Sequence, residues 1–338
     1  MQVMKTKKQT IILQDLSIGY LSKKSKKVVA SDLSCSVWSG ELTCLIGSNG
    51  VGKSTLLRTL CAFQPKLGGN VLINDKDISS YKEKELAKLI SVVLTERFSI
   101  RNMTAKELIS MGRSPYTGFW GMLDDKDNQI IDEAIRLVKI EKLSNRLIDT
   151  LSDGERQKCL IAKALVQDTP IILLDEPTAF LDFPSKVELM QLLHRLSRET
   201  NKTIFLSTHD LELALQIADK IWLMDEKAGV QMGTPEDLAL NNLKSFFAQK
   251  DIIFDPTSGL FRVENDYQRE IRLEGHGVIY AMIRKALLRH KILASRQTES
   301  KICIRAEQGD FRVYRDEKLL DSATTIEELI DIINKLWS

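Results

Sequence analysis

The sequence lacks any close pair of cysteines. Its five, Cys35, Cys44, Cys61, Cys159 and Cys303, are scattered, and no C-x-x-C occurs. Several sit among apolar residues, so they read as buried free thiols rather than disulfides or metal ligands. That fits a reducing compartment. Long apolar runs are also missing. Stretches such as Ile171–Leu174 are far too short to span a bilayer, and Met1-Gln2-Val3-Met4-Lys5 has no apolar leader core. Any membrane role is expected to depend on a partner. Nor does one sign of charge dominate: 48 Lys and Arg against 46 Asp and Glu leave a net charge of +2, which gives no drive toward nucleic acid. Lysines near the start and at Lys23, Lys24, Lys26 and Lys27 read as solvated segments, the second a hairpin loop. The 338 residues, 43% hydrophobic and 28% charged, suit one large globular domain and a small one.

What is present centres on Gly47-Ser48-Asn49-Gly50-Val51-Gly52-Lys53-Ser54-Thr55, which fits G-x-x-x-x-G-K-[ST]. Leu42, Cys44, Leu45 and Ile46 before it read as a buried strand. Leu56, Leu57, Leu60, Ala62 and Phe63 follow at helical spacing. Glycines let backbone N–H groups turn inward on phosphates, and the helix start adds its positive end. Lys53 is expected to reach the β- and γ-phosphates of a nucleotide, and the Ser54 hydroxyl to hold Mg²⁺.

Other residues fall where an α/β sheet binds ligands, at the C-terminal ends of its strands. Ile171–Leu174 ends on Asp175-Glu176, two carboxylates that need a cation or a proton to stand together. Asp175 fits the acid that holds Mg²⁺. Ser91–Leu94 runs into Glu96, a further candidate for Mg²⁺ or water, and Thr203–Leu206 runs toward His209. Tyr20 could stack on an adenine or simply end a strand. Ser152-Asp153-Gly154-Glu155 combines a capping box with a glycine and a hydroxyl, a second helix start able to take an anion. Residues 99–150 read as a mostly helical insertion. Its Gly112–Gly121 loop, rich in glycine and aromatics, could dock a protein or pack a local core. Strands alternating with helices imply a parallel three-layer sheet. After about residue 250 the pattern becomes ββαββα, an α+β tail read as a possible duplication of one ββα unit.

Taken in order, Gly47–Thr55, Leu151–Glu155, Leu173–Pro177, Leu181-Asp182 and His209 resemble the ATP-binding cassette (ABC) ATPases over about residues 9–240. The resemblance implies a P-loop ATPase domain over 1–249, with a helical subdomain at about 97–165 and an accessory domain over 250–338. It also implies a head-to-tail dimer. ATP held by Gly47, Ser48, Asn49, Gly50, Gly52, Lys53, Ser54 and Thr55 of one copy would be closed over by Ser152, Asp153 and Gly154 of the other. Tyr20 would stack on the base, Glu176 polarise the attacking water, His209 contact the γ-phosphate, and Asp182 connect the copies. Two positions depart from the family: Glu96 stands where glutamine is usual, and Asp153 where the signature has its second glycine.

Met111-Gly112-Arg113-Ser114-Pro115-Tyr116, followed by Trp120-Gly121, looks like the ATPases of importers for ferric siderophores, haem and cobalamin. That implies a membrane permease contacted through Glu96–Gly121, an extracytoplasmic substrate-binding protein, and a place on the cytoplasmic face of the membrane. The tail would be a regulatory or dimer-stabilising addition. Two other readings stand beside this one. One is a non-transport cassette ATPase for cluster assembly or remodelling. The other is a regulatory module that holds ATP and hydrolyses it slowly.

Overall fold

The computed structural model describes residues 7–22, 25–94, 102–118, 121–226, 229–243, 246, 252–255, 260–263, 267, 269–307 and 309–337. The chain divides into two compact units, Met1–Phe246 and Phe247–Ser338.

In the first unit, a six-stranded sheet runs in the order Gly229–Gly233, Lys220–Asp225, Leu42–Gly47, Thr203–Ser207, Ile171–Leu174, Ile90–Val93. All neighbours are parallel except the Gly229–Gly233 edge, which pairs antiparallel with Lys220–Asp225. Leu42–Gly47, Ile171–Leu174 and Thr203–Ser207 are buried at every residue. That explains their continuous apolar composition: a central parallel strand is covered on both faces. A second, four-stranded antiparallel sheet is built on the 13-residue strands Gln9–Leu21 and Lys26–Trp38. The first of these reaches well past the Thr10–Leu13 segment expected from its pattern.

The helix Lys53–Leu60 is buried on most sides. Leu56, Leu57 and Leu60 share one core with Ile11, Ile18 and Val71 of the antiparallel sheet and with Leu45, Phe205 and Trp222 of the parallel one. Burying a leucine of this kind contributes about 2 kcal/mol. Two sheets thus grip the helix that carries Lys53.

The helices Ala105–Ser110, Asp125–Leu137 and Asp153–Val166 pack on one another. The sequence leaves the Gly112–Gly121 segment between a docking loop and a local core. Its first two residues, Gly112 and Arg113, are buried in a 3₁₀ turn. A Cβ on Gly112 would stand 2.2 Å from the Lys163 carbonyl oxygen, so only glycine admits the Asp153–Val166 helix this closely. Arg113 Nε donates to Asp127 Oδ1 at 2.7 Å, and its Nη1 to the Val166 carbonyl at 2.8 Å. Burial alone pushes the Asp127 carboxyl up, but the Arg113 and Asp124 hydrogen bonds and the Arg113 charge outweigh it and hold it below the usual range. Tyr116 lies under the same guanidinium at 4.1 Å. Phe119 and Trp120 lie outside the described residues.

The second unit holds all six elements of the expected ββαββα order and adds the strands Ile252–Asp255, Ile292–Ser295 and Lys318–Ala323. Its five-stranded sheet runs Ile292–Ser295, Arg269–Gly275, Ile302–Glu307, Asp310–Arg315, Lys318–Ala323. Among the described residues, the strand pairing does not repeat as a duplicated ββα unit would require. Ile302–Glu307 and Asp310–Arg315 are hydrogen-bonded neighbours, whereas Leu260–Val263 pairs with Ile252–Asp255 in a separate sheet and not with Arg269–Gly275. The helices Gly277–Arg289 and Ile326–Lys335 close the core through Ile283, Leu287, Leu329 and Ile333.

All five cysteines are buried free thiols. Burial pushes Cys35, Cys61 and Cys159 up to about 12. Among the described residues, no helix is long and apolar enough to cross a membrane.

Candidate functional site

Parallel register brings the site together. Leu174 pairs with Leu206 on one neighbouring strand, and Leu45 with Ser207 on the next. The ends of three strands therefore deliver Gly47, Asp175 and Ser207 to one edge of the sheet.

At that edge the loop turns into its helix through Gly52, whose φ is +114° and whose missing Cβ would stand 2.6 Å from Val29 Cγ1. A side chain there would be strained and would also collide. No side chain caps this helix, and no acidic residue occupies its first turn. Its leading N–H groups are thus not claimed by a cap, and the carboxylate beside its first turn, Asp175, comes from another strand end. Lys53 is 5% exposed, with Nζ donating to the carbonyls of Gly47 at 2.9 Å and Ser48 at 3.1 Å. Its ammonium is folded back over the loop it belongs to. Ser48 is half-buried, and Asn49 and Gly50 are exposed at the loop's tip.

Ser54 Oγ donates to Asp175 Oδ1 at 3.3 Å. Ser207 Oγ donates to the same oxygen at 2.7 Å and accepts from the Glu176 N–H at 2.9 Å. Sequence reasoning passed over Ser207. It is fully buried and locks the two adjacent acids in place, and only the pairing of neighbouring strands reveals it. Glu176 has a φ of +46°, a left-handed conformation that costs a non-glycine residue about 1 kcal/mol or more. His209 Nε2 stands 2.5 Å from Glu176 Oε1, so the ring and the carboxylate already face each other. Tyr20 is half exposed at the end of its strand, its hydroxyl 3.0 Å from Thr55 Oγ1. It ends its strand beside the loop.

The residues fit Mg²⁺. A hydroxyl and a carboxylate side by side are a minimal hard-oxygen donor set. Among the described residues no group of three or more His, Cys, Asp or Glu could cage an ion alone. A cation here would keep waters and take substrate oxygens, as Mg²⁺ does. Glu96 lies outside the described residues.

Ser152 and Asp182 are not joined to this cluster. Ser152 and Glu155 cap their own helix, with Ser152 N donating to Glu155 Oε2 at 2.9 Å and Glu155 N to Ser152 Oγ at 3.3 Å. The backbone donation from Ser152 holds the Glu155 carboxyl below its usual range. Asp182 accepts from Ser185 N at 3.1 Å, starting the helix Phe183–Thr200 with Pro184 in its first turn. The two helix starts are close. Ser185 Oγ lies 3.6 Å from where a Gly154 Cβ would stand, and Lys158 bridges to Glu188 at 2.6 Å. Phe180 and Phe183, on either side of Asp182, are both 68% exposed.

Residues 30–179 match the ABC transporter family, and residues 268–334 match the iron ABC transporter C-terminal domain. An uncharacterised ABC transporter ATP-binding protein of Methanocaldococcus jannaschii is 40% identical over 254 residues, covering 75% of this chain and 86% of that one. The chain belongs to the ABC transporter ATP-binding proteins. It is an ABC ATPase that binds and hydrolyses ATP. Other relatives carry more specific names. The iron(3+)-hydroxamate import ATP-binding protein FhuC of Bacillus subtilis is 35% identical, over 72% of this chain and 90% of its own. The ferric enterobactin transport ATP-binding protein FepC of Escherichia coli is 34% identical, over 73% and 90%. Among solved structures, an inward-facing metal-chelate type ABC transporter superposes with a TM-score of 0.61 at 26% identity, over 71% of this chain and 90% of that one.

Proposed function

We propose that this ABC ATPase drives an importer of iron chelates of the ferric siderophore kind, working as a head-to-tail pair beneath a separate membrane permease. The reading rests on the relatives named for iron(3+)-hydroxamate and ferric enterobactin and on the iron-transporter match of the tail. Haem and cobalamin, expected beside siderophores from the short Met111–Tyr116 resemblance, have no counterpart in those names. Permease contact would fall in the Glu96–Gly121 region, with Arg113 and Asp127 as its rigid support.

Each residue would act through the geometry described. The N–H groups of Gly47–Thr55 and the Lys53 ammonium would take the phosphates of ATP, and Lys53 would leave its own loop carbonyls to do so. Tyr20 would stack on the base. Ser54 and Asp175 would hold Mg²⁺, which when bound neutralises phosphate charge. Glu176 would draw on the proton of a water as its oxygen attacks the γ-phosphorus and the bond to the ADP oxygen breaks. His209 would leave Glu176 for the γ-phosphate, so the 2.5 Å contact has to open. Ser152, Asp153 and Gly154 would come from the second copy. The observation that carries this is the self-contained capping of Ser152 by Glu155, together with the exposed Phe180 and Phe183 beside Asp182. The exposed aromatics suit a surface that meets another protein, and the capping keeps Ser152 within its own helix, apart from the phosphate loop of the same chain.

Glu176→Gln tests the chemistry. It should keep ATP binding while hydrolysis falls by about 10²–10⁴-fold, the range for a lost general base. Hydrolysis at the wild-type rate would remove Glu176 from its role. Transport is tested by isolating the permease that co-purifies with the chain and measuring ferric siderophore uptake with it. An importer that ignores ferric chelates would refute the substrate class.

A further inference from the structure

The helices Gly277–Arg289 and Ile326–Lys335 of the second unit cover its core and leave a groove of about 580 Å³ between their outer faces. Met282, Ala286, Ile326 and Ile330 give it an apolar lining. Lys285 and Arg289 come to it from one helix, and Glu327 and Asp331 from the other. Among the described residues, none of these four charged side chains forms an ion pair. Opposite charges therefore line the two sides of one groove without closing across it. Met282 is 47% exposed and Val278, on the same helix, 72%. An apolar floor with charged edges is the anatomy of an interface.

We propose that this groove is a self-association face through which the tail units of two copies pack together. The charges select both the occupant and the symmetry. A two-fold axis running along the groove lays the basic side of each copy on the acidic side of the other. A two-fold axis across the groove would set like on like, at a cost. The face is self-complementary in the first arrangement, as an isologous contact requires. Met282 in the lining adapts readily to an apposed surface. Two ATPase units tied to such a pair would meet at raised effective concentration. That consequence rests on the two-copy ATP site proposed above; the association of the tails does not.

The test uses the full-length protein without nucleotide, with mass measured by light scattering. Wild type should be a dimer that weakens as salt rises. Lys285→Glu with Arg289→Glu, and separately Glu327→Lys with Asp331→Lys, should each raise the dimer dissociation constant at least about tenfold, because each variant has two like-charged sides. An equimolar mixture of the two variants should dimerise again, since their altered sides fit only each other. A monomeric wild type would overturn the proposal. So would two folded variants that remain dimers, or a mixture that fails to recover. ATP-driven pairing of Glu176→Gln, measured separately, tells the outcomes apart. If it persists while the nucleotide-free dimer is missing, the groove is refuted and the ATP site stands.

Discussion

The helix at Lys53 starts on a left-handed glycine with no cap and no acid in its first turn. The helix at Asp153 starts on Ser152, with Glu155 closing a reciprocal box and two acids in the first turn. Both present a helix N-terminus, yet only the first leaves its backbone donors unclaimed by a cap and carries no acid in its own first turn. The first is prepared for phosphate within its own chain. The second is satisfied as it stands, and its hydroxyl must exchange Glu155 for any incoming anion. The contrast separates a site that holds nucleotide from a surface that closes over it.

Lys53→Ala attacks the prepared start and should have the largest effect. The ammonium lies over the loop on the Gly47 and Ser48 carbonyls, and its loss should lower hydrolysis by about 10²–10³-fold and weaken ATP binding. Titration with a fluorescent ATP analogue would show it; unchanged affinity would mean that the backbone alone carries the phosphates. Gly52→Ala attacks the same start through geometry. The Cβ meets Val29, and φ is wrong for alanine, so about 1–3 kcal/mol of stability should be lost. Thermal unfolding would register the loss, and a variant of undiminished stability would contradict the tight fit. Ser152→Ala acts on the satisfied start and should be mildest for folding, about 1 kcal/mol for one cap. Its nucleotide affinity in the isolated chain should match wild type. A change in ATP binding measured before two ATPase units close on each other would erase the distinction between the two starts.

The prepared start was legible because its chemistry is sequential: glycines, lysine and hydroxyls follow one another within Gly47–Thr55. The carboxylates Asp175 and Glu176 were legible for the same reason, since a short apolar strand points at them. Ser207 was not, because its role comes from lateral register between strands that are far apart in sequence. The burial of Arg113 was not legible for a related reason. Nothing local says that Asp127, 14 residues on, will hold it in the interior. In the tail, Lys318–Ala323 is exposed at five of its six residues. An edge strand of that kind shows no inside-outside alternation to detect. Ile292–Ser295 is only four residues long and follows directly on a helix end. The duplication of a ββα unit was inferred from element order, which carries no information on which strands pair.

The central claim is that the loop at Gly47–Thr55 is completed by Ser152, Asp153 and Gly154 of a second copy. Its most direct measurement mixes two variants that are inactive alone. Lys53→Ala breaks the loop. Gly154→Glu breaks the closing surface, and it should fold normally because the nearest atoms to a Cβ there, on Ser185, are 3.6–3.7 Å away. The added carboxylate would face the γ-phosphate of the partner's ATP. In a mixed dimer, one site combines an intact loop with an intact closing surface. Hydrolysis by the equimolar mixture should return to roughly a quarter of the wild-type rate, since half of randomly formed dimers are mixed and each has one good site of two. A mixture as inactive as its parts would place the whole site within one chain and contradict the account.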